Sequence, residues 1–139
     1  SYLSIEHAGP IPLALRVAMG NRIYGCDDCQ LACPWNKYAR RSPLPDFAER
    51  GVWDAPTLVE LFAWSEEAFL QHTEGSAIRR IGHARWLRNV ALAAGNALAL
   101  GNAIDESDAL ALQRALIRWQ DHEDPVVQEQ VAWSLAQRA

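Results

Sequence analysis

Apolar positions follow two regimes along the chain. Before residue 46 they are scattered among Gly9, Pro10, Pro12, Gly20, Gly25, Pro34, Pro43 and Pro45, which interrupt any long element. Only Leu13 to Met19 keeps helical spacing there, with Gly20-Asn21 as its stop signal. From Pro56 onward the period becomes 3.6. Pro56 takes a first helical position, and Leu58, Leu61 and Phe62 give an apolar stripe on a short helix ending near Trp64. Ser65 caps the next helix, with Phe69-Leu70 on its buried face and Gly75 closing it. After a turn over Ser76 to Gly82, the segment His83 to Leu100 sets Leu87, Val90, Ala91, Ala94 and Leu98 on one face and is the longest helix expected. Asp105 to Gln120 repeats the pattern through Ala109, Leu112, Leu116 and Trp119, and Asp124-Pro125 opens a last helix through Val127, Val131 and Leu135. Strand signals are nearly absent.

The fold class is therefore mainly α. Successive helices on short turns, with Ala93, Ala94 and Ala97 where backbones can approach, suggest stacked helical hairpins. The run from Asp124 to Leu135 resembles the second helix of a HEAT-like repeat. Such an array leaves one side open as an extended surface for a partner. A compact helical bundle fits the same periodicity. Two units are expected: a loop-rich unit over residues 1–46 and a helical unit over residues 47–139.

A chain of 139 residues that is 50% hydrophobic and 22% charged has the make-up of a globular core rather than a disordered segment. The longest uncharged stretch, Asn89 to Ile104, is broken by Gly95, Asn96, Gly101 and Asn102, so no membrane partner is expected. The opening Ser1-Tyr2-Leu3-Ser4-Ile5-Glu6 has neither an initiator Met nor the order of a signal peptide, which suggests a piece of a longer, cytoplasmic protein. The net charge of -4 hides an uneven distribution. Residues 51–75 hold five acids and no Lys or Arg, whereas residues 76–101 hold Arg79, Arg80, Arg85 and Arg88 and no acid. An acidic total is thus compatible with a polyanion partner.

Cys26, Cys29 and Cys33 fall within eight residues, an odd, tight cluster that suits metal ligation in a reducing compartment and not a disulfide framework. Their spacing, with Pro34 next, is that of the last three cysteines of the bacterial ferredoxin run C-x2-C-x2-C-x3-C-P. Residue 23, the place of the first cysteine, is Ile. Three thiolates leave a four-cysteine cluster one ligand short, so further ligands must come from elsewhere. Two other readings fit three close cysteines. They are free thiols, or they form a zinc site completed by His7 or water.

Ser1 to Glu6, Gly9 to Pro12 and Gly20 to Asn36 together closely resemble epoxyqueuosine reductase, the iron-sulfur and cobalamin enzyme of tRNA modification. Ile78 to Gly82, Arg85 to Ala91 and Gly95-Asn96 extend the resemblance. It implies a C-terminal fragment comprising the end of a ferredoxin-like [4Fe-4S] domain and a HEAT-like repeat domain. By that resemblance Cys26 and Cys29 ligate one cluster and Cys33 crosses to a second. The missing ligands, the cobalamin domain and its proton donor lie outside the fragment, which is inactive alone. The implied partners are tRNA and an electron donor protein or reductant, with the enzyme a monomer.

The basic residues take on meaning in that setting. Arg79, Arg80, Arg85 and Arg88, with a second cluster of Lys37, Arg40 and Arg41, offer guanidinium and ammonium groups for phosphate contacts. The competing structural reading has the arginines pairing with flanking acids to hold hairpins together. His7, His72, His83 and His122 are scattered, with no catalytic partner at motif spacing. Trp86, Trp119 and Trp133 lie on helices, where core packing is expected. A helical protein-interaction module with a structural zinc or a free-thiol cluster is the rival overall reading.

Overall fold

The computed structural model describes residues 1–45 and 53–138. The boundary expected at residue 46 lies outside the described residues. In chain order the helices are α1 (Tyr2–Ile5), α2 (Leu13–Met19), α3 (Asp28–Leu31), α4 (Leu58–Phe62), α5 (Glu66–His72), α6 (Gly82–Leu98), α7 (Glu106–Ile117) and α8 (Pro125–Leu135). Short 3-10 turns cover Pro34–Tyr38, Ala77–Ile81 and Gly101–Ala103. Among the described residues there is no strand, and no helix is long and apolar enough to cross a membrane.

Capping chemistry decides where the helices begin. Thr57 Oγ1 accepts from the Glu60 amide while the Glu60 carboxylate accepts from the Thr57 amide at 2.7 Å, a reciprocal box that starts α4 at Leu58. Pro56 therefore sits before the cap and not inside the helix. Ser65 caps α5 through the Ala68 amide, and Asp124 caps α8 through the Val126 amide at 2.8 Å with Pro125 at the first helical position. On α5, Phe69 is buried but Leu70 faces outward.

Helix α6 is the axis of the fold. Every position from Trp86 to Gly95 is buried, so the expected single apolar face is replaced by burial all round. One side meets α4, α7 and α8 through Leu87, Val90, Ala91, Ala94 and Leu98. The opposite side carries Leu92, which packs with Ile11 and Met19 of the N-terminal segment. Aromatic rings seal the first end: Trp64 stacks on Trp86 with centroids 5.3 Å apart, and the Trp86 indole N–H donates to the Leu61 carbonyl.

The direction of the helices follows from their end contacts. Trp119, just beyond α7, lies 5.6 Å from His83 at the start of α6, so α7 runs back along α6. Asp124, the cap of α8, shares a small cavity with Ala84, Arg85 and Arg88, and Ser134 near the end of α8 donates to the Ala91 carbonyl at 2.7 Å. Helices α6 and α8 thus run in the same direction, the sense that stacked hairpins produce.

Candidate metal centre

The three cysteines stand on one reversal of the chain. Gly25 (φ +71°) and Asp27 (φ +51°) both adopt left-handed backbone and turn the chain about Cys26. Helix α3 then carries Cys29, and Cys33 leads into the turn opened by Pro34. All three are free thiols, Cys29 exposed and the others half-buried. The Asp28 backbone amide, helped by the Ser1 hydroxyl, pulls the Cys26 thiol below its ordinary value. A lowered thiol favours the thiolate, the form that ligates metal. Asp28 adds little negative charge here, because its carboxylate is paired with the Arg22 guanidinium at 2.8 Å.

Among the described residues no group of three or more His, Cys, Asp or Glu side chains is gathered around one point. His7, the candidate fourth zinc ligand, instead bonds the Pro10 carbonyl at 3.0 Å. Among the described residues the donor set is three accessible sulfurs that do not close a single-metal cage.

What fixes the cysteine turn is polar side chains of α6. Asn89 is fully buried, and its amide donates to the carbonyls of Ser4 (2.7 Å) and Ile23 (2.8 Å). Its carbonyl oxygen is taken by two N–H groups of Arg88 at 3.1 and 2.9 Å, which fixes the amide's orientation. The remaining Arg88 donors go to the carbonyls of His7 (2.7 Å), Gly9 (2.8 Å) and Leu3 (2.7 Å). All five guanidinium N–H groups are thereby used. Burial pulls Arg88 down to about 10, with repulsion from Arg85 adding to the effect and Asp124 partly offsetting it; the group stays charged at neutral pH. Seven residues further along, Asn96 donates to the carbonyls of Arg16 (2.9 Å) and Gly20 (2.8 Å). Ser4 completes the arrangement by accepting from the Gly25 amide at 3.1 Å, the residue next to Cys26. Arg16, 1% exposed, ties α2 to α8 by donating from Nη2 to both carboxylate oxygens of Glu129 at 2.7 and 2.9 Å.

Comparison with known proteins agrees with this picture. Residues 1–36 match the family model of a 4Fe-4S double cluster binding domain. The chain is 59% identical over 137 residues to epoxyqueuosine reductase of Alicycliphilus denitrificans, an alignment covering 99% of this chain and 38% of that relative. Epoxyqueuosine reductase of Escherichia coli K12 is 55% identical over 138 residues, covering 99% of this chain and 34% of the relative. The Pseudomonas aeruginosa enzyme is 48% identical over 135 residues, covering 97% and 35%. Almost the whole chain is thus similar to one part of the epoxyqueuosine reductases. It spans little more than a third of the length of the epoxyqueuosine reductases it matches. No solved structure matches it.

The 4Fe-4S match takes in Cys26, Cys29 and Cys33 together. The basic residues proposed from the epoxyqueuosine reductase resemblance divide into two groups. Lys37, Arg40, Arg41, Arg79 and Arg80 are exposed, Arg80 pairing with the equally exposed Glu6. Arg85 is half-buried and donates to the Ile5 carbonyl, and Arg88 is 1% exposed with every donor spent. Arg88 is therefore corrected from a phosphate contact to an internal strut, since no N–H remains to meet a phosphate. The pairing of α6 arginines with flanking acids is also not what holds the fold. Their partners are backbone carbonyls of the N-terminal segment, 79 to 85 residues away. Asn89 and Asn96 were not singled out as site residues from sequence. Their signal is a pair of amides flanking the apolar run from Val90 to Ala94 of α6.

Proposed function

We propose that this chain is the part of an epoxyqueuosine reductase that completes a ferredoxin-like domain and adds a HEAT-like helical repeat. It contributes cluster ligands and a docking surface for cytoplasmic tRNA. Cys26 and Cys29 would bind one [4Fe-4S] cluster and Cys33 a second, with the other ligands and the cobalamin supplied outside these residues. When bound, such clusters supply one-electron transfer at a potential set by their surroundings. This chain's own role is to present three thiolates on a fixed turn and to hold the substrate RNA.

The observation that carries this reading is the state of the cysteines. Three free, accessible thiols lie within the residues that match a double-cluster domain, and among the described residues no three metal-ligating side chains gather around one point. Ligands shared between two clusters have that geometry, whereas a structural zinc would gather them. The parallel course of α6 and α8, with α7 running back against both, supports the repeat. The exposed Lys37, Arg40, Arg41, Arg79 and Arg80 support the RNA surface, Arg85 standing at its edge.

Iron and sulfide content of the full-length enzyme, together with conversion of epoxyqueuosine to queuosine in tRNA, tests the proposal. Cys26→Ser and Cys33→Ser should each diminish one cluster and abolish turnover. Full iron content in both variants, or zinc in place of iron in the parent protein, would overturn it.

A further inference from the structure

Asn89 touches no cysteine, yet the backbone it grips runs directly into one. Its amide holds the Ile23 carbonyl, three residues before Cys26, and also the Ser4 carbonyl. The Ser4 hydroxyl in turn accepts from the Gly25 amide, adjacent to Cys26. The chain Arg88, Asn89, Ser4, Gly25 is therefore a continuous set of hydrogen bonds from the core of α6 to the residue before a thiolate. Each link is directional. Arg88 occupies the Asn89 oxygen with two donors, so the Asn89 nitrogen can only face the carbonyls. Ser4 is 2% exposed, so water cannot replace its hydroxyl at the Gly25 amide without reorganisation.

We infer that Asn89, oriented by Arg88, is a positioning residue for the cluster bound by Cys26. It rests on the cluster reading given above. By fixing Ile23 and Gly25 it sets where the Cys26 sulfur stands relative to α3 and Cys29. It also keeps the Gly25 N–H committed to Ser4 and away from the metal-bound sulfur. Hydrogen bonds to cluster sulfurs are a main determinant of cluster potential, so a side chain that diverts one such donor acts on the electronic property of the cluster without touching it.

The molecule contains its own control. Asn96 lies two turns further along the same helix and makes the same two-carbonyl contact, but to Arg16 and Gly20, which do not adjoin a cysteine. Asn89→Ala and Asn96→Ala thus each remove a two-carbonyl amide contact from one helix, and only the first removes it beside Cys26.

The test uses full-length enzyme reconstituted with iron and sulfide. It measures the electron paramagnetic resonance signals of the reduced clusters, their midpoint potentials, and release of iron to a chelator. In Asn89→Ala one of the two cluster signals should change in g-values and potential. That cluster should weaken by about 10- to 100-fold, the range typical for loss of an outer-shell partner. The second cluster, and both clusters of Asn96→Ala, should keep parental values. Equal disturbance of both clusters, or equal effects in the two variants, would reduce Asn89 to a general stabiliser and overturn the inference. Unchanged signals in Asn89→Ala with a lowered melting temperature would overturn it too. A parental protein without iron would instead sink the cluster reading, an outcome separate from all of these.

Discussion

Gly95 of α6 lies against Ser134 of α8 so closely that a Cβ at position 95 would stand 2.7 Å from the Ser134 hydroxyl oxygen, 2.8 Å from its Cβ and 2.8 Å from the Trp133 ring. Ser134 cannot swing away, because it is fully buried and donates to the Ala91 carbonyl. Gly95 is thus the contact that lets two parallel helices share one core. Gly95→Ala should improve helix propensity yet destabilise the protein by about 1–3 kcal/mol through overpacking. Urea unfolding measures it, and a neutral or stabilising result would show that α8 is free to move outward.

Leu116 of α7 is fully buried in the main core, whereas Leu110 on the same helix is 43% exposed. Truncation of Leu116 to Ala should cost about 2–5 kcal/mol. The same change at Leu110 should stay within about 0.5 kcal/mol. Similar values for the two would mean that α7 is rotated about its axis relative to the arrangement described.

His83 is wedged between Phe69 and Trp119, and its Nε2 bonds the Trp64 carbonyl at 2.8 Å. Burial holds the imidazole below its ordinary value; the Trp64 carbonyl and Glu66 oppose that shift, and His122 reinforces it. A histidine depressed in the folded state binds more protons when unfolded, so stability should rise with pH through the ordinary histidine range and fall below it. His83→Gln keeps a donor for Trp64 but does not titrate. Denaturation at pH 5 and pH 7.5 should show a smaller loss on acidification for the variant than for the parent. Equal losses would assign the acid sensitivity to other groups.

The basic residues should separate by function in a salt series. In full-length enzyme, Gln at Lys37, Arg40, Arg41, Arg79 or Arg80 should flatten the dependence of tRNA affinity on log salt wherever a phosphate contact is lost. The change is roughly 0.7 to 0.9 per contact. Arg88→Gln should leave the slope intact and lower the melting temperature, because it strands the half-buried carbonyls of Leu3, His7 and Gly9. A flattened slope in Arg88→Gln with unchanged stability would return that residue to the RNA surface.

Periodicity locates α4 to α8 closely, because each has a real apolar stripe and all but α6 have a side-chain cap; α6 begins at Gly82 and ends at Leu98, within two residues of expectation. The start of α4 was less legible. Proline at a first helical position and threonine at a cap are both good signals, and the reciprocal bond with Glu60 decided for Thr57. The cysteine spacing was legible because metal chemistry imposes it on adjacent residues. The setting of that motif was not, since it depends on pairings 66 to 85 residues apart between a side-chain amide or guanidinium and main-chain carbonyls. Carbonyls are the same at every position, so no pattern of residue types announces which ones will be chosen. The acid-free run and the family resemblance together therefore group Arg88 with Arg79 and Arg80 as a phosphate contact, although it is buried.

The span between Ile23 and Asn89 also orders events in time. During synthesis Ile23, just ahead of the cysteines, leaves the ribosome 66 residues before the amide that fixes their turn. Until α6 has emerged and packed, Cys26 is held only by local backbone, and its thiol has the mobility and reactivity of a loop. The native ligand geometry becomes available only after the helical unit has folded. On the proposed cluster reading, insertion of iron and sulfide into that geometry would be a late step of maturation, and a nascent chain stalled before α6 would expose unprotected thiols to oxidation.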